Sequence, residues 1–173
     1  MRLILLGAGG YGKTVADVAS QIGDYDDIRF LDDNSKDELV IGKCEDYIRF
    51  IDDNTAFYPA LGNNEARIRW LERLDADNAK IATIIHTSAY VSPTARVNYG
   101  VVVLPKAIVN TDVHIGRGCI INCGAIVDHG CELSDGVHVC LGAVVKAENR
   151  IPAFMKIEAG EVIENRRFPL NGE

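Results

Sequence analysis

The chain has 173 residues, enough for one sizeable core or two small ones. Its 47% apolar and 25% charged composition is ordinary for a globular protein rather than a disordered or fibrous one. A net charge of −7 with no Lys/Arg block argues against nucleic acid or an anionic membrane as the main partner. It leaves room for a small anionic ligand held by local dipoles.

No apolar run approaches the roughly 18 residues of a membrane span. "MRLILLGAGG" has a charge and a short apolar stretch, but it turns directly into glycines and reads as a first strand rather than a leader. The following "GGYGKTVADVASQIG" predicts a helix with Val15, Val18, Ala19 and Ile22 on one face and Gly23 at its end. "IRFLDD" and "TAFYPALG" read as strands, and "NNEARIRWLERL" as a helix with Ile68, Leu71 and Leu74 inward. "AKIATIIH" reads as a closing strand. Alternating strands and helices predict a small parallel, Rossmann-like α/β domain over residues 1–85.

From Val91 the rhythm changes. Every sixth residue through Ile163, thirteen in succession, is Val, Ile or Leu. The position two residues before each of these holds only Ala, Val or Cys from Ala95 to Ala143, then Asn149, Met155 and Glu161. This period fits a short strand plus a turn, with three units closing one triangular coil and stacked coils pairing about 4.8 Å apart. The fold class expected is therefore α/β plus all-β: the small parallel-sheet domain, then a parallel β-helix over 90–165, then a tail at 166–173.

Uninterrupted hexapeptide repeats resemble those of left-handed β-helix acyltransferases. The chain resembles more closely the bacterial acetyltransferases of UDP-linked amino sugars and their sialic-acid O-acetyltransferase relatives. The stretches that carry the likeness are "GAGGYGK", "FLDD", "LGNNEAR", "IIHTSAYVSPTA" and "NCGAIVDHGCELSDGVHV", from the first strand to about Ala147.

A glycine loop between strand and helix favours a phosphate through its N–H groups and the helix dipole. Asp32, 20 residues past Gly12, also stands where a dinucleotide fold keeps its ribose-binding acid, so an NAD-binding protein is an alternative. The resemblance implies a nucleotide-sugar instead, with Gly9, Gly10, Tyr11 and Gly12 facing the diphosphate and Asp32 and Asp33 the uridine end. Asn63 and Arg67 are weaker candidates: Asn63 equally suits a helix N-cap, and Arg67 a solvated helix face.

His129 is third in its hexad, at a turn, where its imidazole can face outward and take a proton near neutral pH. The resemblance implies that it is the general base, and that His138, Gly142 and Ala147 line the acetyl-CoA site. The resemblance implies that an acid commonly stands directly after this histidine; here Gly130 stands there. Asp128 precedes His129, and strand alternation would turn it to the other face. His86 is expected to be structural, and no role is argued for His114. Cys119, Cys123, Cys131 and Cys140 have no C-x2-C pair, and Cys119 and Cys131 take small inward positions, so no metal is expected. Five cysteines in all, an odd count, fit reduced thiols and a cytoplasmic setting.

The expected activity is acetyl transfer from acetyl-CoA to an amino group of a UDP-linked amino sugar for a surface glycan, by a homotrimer. O-acetylation of a sugar or sialic acid is the nearest variant. Gly130, together with a β-helix shorter than the resemblance leads one to expect, also raises a nucleotide-sugar-binding trimer that has lost transfer activity.

Overall fold

The computed structural model describes residues 1–170, and it falls into two compact units divided between Thr83 and Ile84. The first unit runs β1 (Arg2–Leu6), α1 (Gly10–Ile22), β2 (Asp27–Leu31), a 3₁₀ segment (Cys44–Phe50), β3 (Thr55–Pro59), α2 (Asn64–Ala76) and β4 (Lys80–Ile81). Its sheet has the order β2-β1-β3-β4, all pairs parallel, with Leu5 opposite Phe30 on one side and Tyr58 on the other. A central parallel strand is covered on both faces, so it must be continuously apolar. Leu3, Ile4, Leu5 and Leu6 are accordingly all buried. Val15, Val18 and Ala19 of α1, and Ile68, Leu71 and Leu74 of α2, are buried as their helical spacing requires. Gly23 closes α1 in the left-handed conformation.

The second unit is the left-handed parallel β-helix expected from the repeats. Its strands are two residues long: β5 (Ile84–Ile85), β6 (Tyr90–Val91), β7 (Arg96–Val97), β8 (Val102–Val103), β9 (Ile108–Val109), β10 (His114–Ile115) and β11 (Ile120–Ile121). The series continues with β12 (Ile126–Val127), β13 (Glu132–Leu133), β14 (His138–Val139), β15 (Val144–Val145), β16 (Arg150–Ile151), β17 (Lys156–Ile157) and β18 (Val162–Ile163). They form three parallel sheets, β5-β8-β11-β14-β17, β6-β9-β12-β15-β18 and β7-β10-β13-β16. Partners are 18 residues apart, as in Ile121 with Val139 and Val127 with Val145, so three hexads make one coil.

The second residue of each strand points into the prism and the first points out. Val103, Val109, Ile121, Val127, Val139 and Val145 form the inner column, and Ala107, Cys119, Ala125, Cys131 and Ala143 fill the space between them. Each turn carries one residue of positive φ, again at intervals of six, from Gly100 to Arg166. Glycine serves this position without strain; Lys106, Asp112 and Glu148 adopt it where the turn imposes it.

Two expectations are corrected here. "AKIATIIH" is not one strand: Lys80–Ile81 ends the first sheet, whereas Ile84–Ile85 begins the β-helix. Two-residue strands leave too little pattern to separate from a longer one. Asn149 does not simply interrupt the inner column. It is fully buried, its amide donates to the Lys146 and Glu164 carbonyls at 2.8 and 2.9 Å, and its oxygen accepts from the Phe168 N–H at 2.9 Å. Phe168 packs against the core and its carbonyl accepts from the Arg150 N–H at 2.7 Å. The tail expected at 166–173 thus folds back onto the last coils through residue 170; 171–173 lie outside the described residues.

Candidate active site

In the first unit the chain leaves β1 through Gly7, whose φ of 110° only glycine adopts easily. A methyl group on Gly12 would lie 2.1 Å from the Gly7 carbonyl oxygen, so Gly12 lets α1 start directly against the strand. Gly9 and Gly10 differ, because a Cβ at either would meet nothing. Gly9 is the N-cap of α1 and supplies no side-chain cap to the first-turn amides. The Tyr11 hydroxyl lies 2.7 Å from that of Tyr58. Burial and then Tyr58 hold the Tyr11 phenol protonated, well above its ordinary range, with Arg67 pulling the other way.

The paired acids have unequal tasks. One Asp32 oxygen accepts the Ala8 N–H at 2.8 Å, and the other accepts the Asn34 and Ser35 N–H groups at 2.9 and 2.7 Å. Asp32 therefore staples the glycine loop to the segment after β2. Asp33 is exposed and accepts one weaker bond, from the Cys44 N–H at 3.2 Å. Burial, with the charges of Asp33 and Asp32 adding, pushes the Cys44 thiol up to about 12, so it remains neutral.

Asn63 is the N-cap of α2, its oxygen accepting from the Ala66 N–H at 2.8 Å. Arg67 is not on a solvated face. It is fully buried, donating to the Leu61 carbonyl at 2.8 Å and to Asn64 Oδ1 at 2.9 Å, and it helps hold the loop before α2.

In the second unit His129 stands on the corner between β12 and β13, its side chain 62% exposed. The Asp128 carboxylate does not face away from it. Asp128 Oδ1 lies 3.1 Å from His129 Nδ1, accepts the His129 N–H at 2.8 Å and accepts Asn110 Nδ2 at 3.0 Å. Strand alternation does not apply, because residues 128 to 130 form the turn. Burial opposes the Asp128 charge, but these three hydrogen bonds outweigh it and hold the carboxyl below its usual range. Asn110 joins this cluster although the sequence reading does not single it out; its place 18 residues before Asp128 is the available signal.

His138 lies on β14 and points out of the prism, with Nε2 3.2 Å from Asn122 Nδ2. Gly142 is at the corner between β14 and β15, where a Cβ would meet nothing. Ala147 sits one coil above His129, and the neighbouring Glu148 N–H donates to the His129 carbonyl at 3.2 Å. A triangular prism thus separates the predicted residues. The corner holding His129 and Ala147 lies opposite the face that carries His138.

The remaining histidines stand apart: His86 is buried with Nδ1 2.8 Å from Ser88 Oγ, and His114 is exposed on β10. His114 helps line a groove of about 520 Å³ with Arg96, Asn98, Glu132 and Ser134, and none of the predicted site residues reach it. The Cys119 and Cys131 thiols donate to the Ser134 and Lys146 carbonyls from within the core.

A glycine-loop α/β unit joined to a hexapeptide β-helix with an exposed corner histidine defines a class of acyl-transferring proteins, and comparison with known proteins agrees. Residues 2–74 match the family model of the PglD N-terminal domain. The acetyltransferase domain of PglB from Neisseria gonorrhoeae FA1090 is 34% identical with a TM-score of 0.92, over 95% of this chain and 82% of that one. The same domain in complex with acetyl coenzyme A matches at 34% identity and a TM-score of 0.91, with the same coverage. A histidine-to-alanine variant of GDP-perosamine N-acetyl transferase from Caulobacter crescentus, in complex with CoA and GDP-perosamine, shares the fold. It has a TM-score of 0.82 at 24% identity, over 95% of this chain and 89% of that one. No curated protein sequence matches. The chain belongs to the hexapeptide-repeat sugar acetyltransferase family, and is by that membership an acyltransferase.

Proposed function

We propose that the protein transfers an acetyl group from acetyl-CoA to an amino group of a UDP-linked amino sugar destined for a surface glycan. The observation that carries this reading is His129, an exposed imidazole on a β-helix corner with its Nδ1 held by a carboxylate. With Nδ1 engaged, Nε2 is the nitrogen that takes the proton from the attacking amine as the new N–C bond forms. When the C–S bond breaks, the same nitrogen returns the proton to the departing sulfur, so the products are the N-acetyl sugar and free CoA. The donor follows from the acetyl-CoA complex of the 34% identical PglB domain.

The nucleotide-sugar belongs to the first unit. Open space at Gly9 and Gly10 before a 13-residue helix suits a diphosphate, and exposed Asp33 suits the nucleoside end. The acetyl group's neighbours, His138 and Gly142, come from a second copy, because a single prism holds them away from His129. The face carrying Tyr90, Ile108, Ile126, Val144 and Val162 supports this assembly, since it is an outward apolar stripe. We assign a homotrimer in the reducing cytoplasm, consistent with five free thiols. Among the described residues, no helix is long and apolar enough to cross a membrane.

The test is a CoA-release assay across UDP-linked amino sugars and their hydroxyl counterparts. His129→Ala should lower turnover by ~10²- to 10⁴-fold while leaving UDP-sugar binding by thermal shift intact. Unchanged turnover would remove His129 as the base. Transfer only to hydroxyl acceptors would replace N- with O-acetylation.

A further inference from the structure

Gly130, not an acid, follows His129 in the chain, yet the imidazole is not left unsupported. We propose that Asp128 and Asn110 together are the positioning residues for His129, an orienting pair built from the residue before the base and the coil below it. The inference rests on the reading of His129 as the base.

On this corner, residues 18 apart stack about 4.8 Å from one another. Asn110, Asp128, Lys146 and Glu164 form one column; Thr111, His129 and Ala147 the next; Asp112, Gly130, Glu148 and Arg166 the third. Within the first column the ends are matched: Asn110 donates to Asp128 at 3.0 Å, and Lys146 is tied to Glu164. In the third column, Glu148 is paired with Arg166. Asp128 is thus the carboxylate in contact with the imidazole, and the Asn110 amide fixes its rotation from below. That contact keeps the proton on Nδ1 and the lone pair on Nε2, and it stabilises the imidazolium formed during transfer.

Gly130 fits this arrangement. Its φ is 64°, and a Cβ there would meet only the Glu148 side chain at 3.8 Å. An acid at that position is sterically possible, as Asp112 shows at the same turn position one coil lower with φ 55°. In this chain the orienting charge therefore comes from the residue before the base.

The test uses the full chain. Asp128→Ala should cut kcat by ~10- to 100-fold with KM for both substrates unchanged, because the residue acts through the base and not on either ligand. Asn110→Ala should give a smaller fall of the same kind. In long-range ¹H–¹⁵N spectra, with the His129 signal assigned by its loss in His129→Gln, Asp128→Ala should move the ring proton from Nδ1 toward Nε2. Adding Gly130→Asp to Asp128→Ala should recover most of the lost kcat, which no purely structural role predicts. An Asp128→Ala enzyme within twofold of the parent, or an unshifted tautomer, would overturn the proposal. If His129→Ala retained turnover, the base reading would fall, while the tautomer comparison would still decide whether Asp128 holds the ring.

Discussion

At the scale of single residues, the paired acids after β2 look alike in sequence and differ in what they hold. Asp32 accepts three backbone N–H groups, and the Ala8 bond, followed by those from Asn34 and Ser35, outweighs burial to depress its pKa. A carboxyl whose folded pKa lies below its unfolded value of about 3.9 stabilises the fold above that value, and the contribution is lost as pH falls through the folded pKa. Stability of the unliganded protein should therefore decline below about pH 4, and more steeply than in Asp32→Asn. That variant places an N–H₂ group against one of the three donors and should cost ~1–3 kcal/mol, read as a lower denaturation midpoint at neutral pH. Asp33→Asn should leave the midpoint nearly unchanged and weaken nucleotide-sugar binding instead. The reverse pattern would make Asp32 the ligand contact and Asp33 the staple.

The glycine loop separates in the same way at the scale of an element. Gly12→Ala drives a methyl group into the Gly7 carbonyl, two backbone segments that cannot both yield, and should cost at least ~2 kcal/mol in urea unfolding. Gly9→Ala and Gly10→Ala enter open space and should change stability by less than about 0.5 kcal/mol, while lowering affinity for the diphosphate. Spacing alone could not sort these glycines, because the clash depends on how closely α1 starts against β1. Other features were legible for definite reasons. The β-helix is legible because the large inward position of each coil unit takes only Val, Ile or Leu, over thirteen repeats. His129 was placed on a turn by counting within its hexad. Asp128 departs from strand alternation because alternation holds only inside a strand, and these strands are two residues long. Arg67 departs from expectation because a long polar side chain on a helix is usually solvated, whereas here a carbonyl and an amide oxygen accept its N–H groups inside the unit. Asn149 looked like the end of the pattern and is a hydrogen-bonded part of it, which only the returning Phe168 segment makes evident.

At the scale of the molecule, the three prism faces divide the work. The face built on β7, β10, β13 and β16 presents Arg96, His114, Glu132 and Arg150, a charged surface suited to water. The face with Ile126 at its centre is apolar and suited to another copy. If the protein is the proposed trimer, Ile126→Glu should dissociate it in sedimentation analysis and lower CoA release by at least ~10-fold, although every residue assigned to the chemistry is intact. A sharper test follows from the separation of His129 and His138 on opposite sides of one prism. His129→Ala and His138→Ala should each be poorly active alone. If each site takes His129 from one copy and His138 from its neighbour, unfolding the two variants together and refolding them creates some sites with both histidines. Random assembly of equal amounts leaves about one site in four intact, so the refolded mixture should recover roughly a quarter of the parent's CoA release. Two histidines belonging to one site within one copy would yield no recovery at any mixing ratio, and the site would then have to be redrawn on a single subunit.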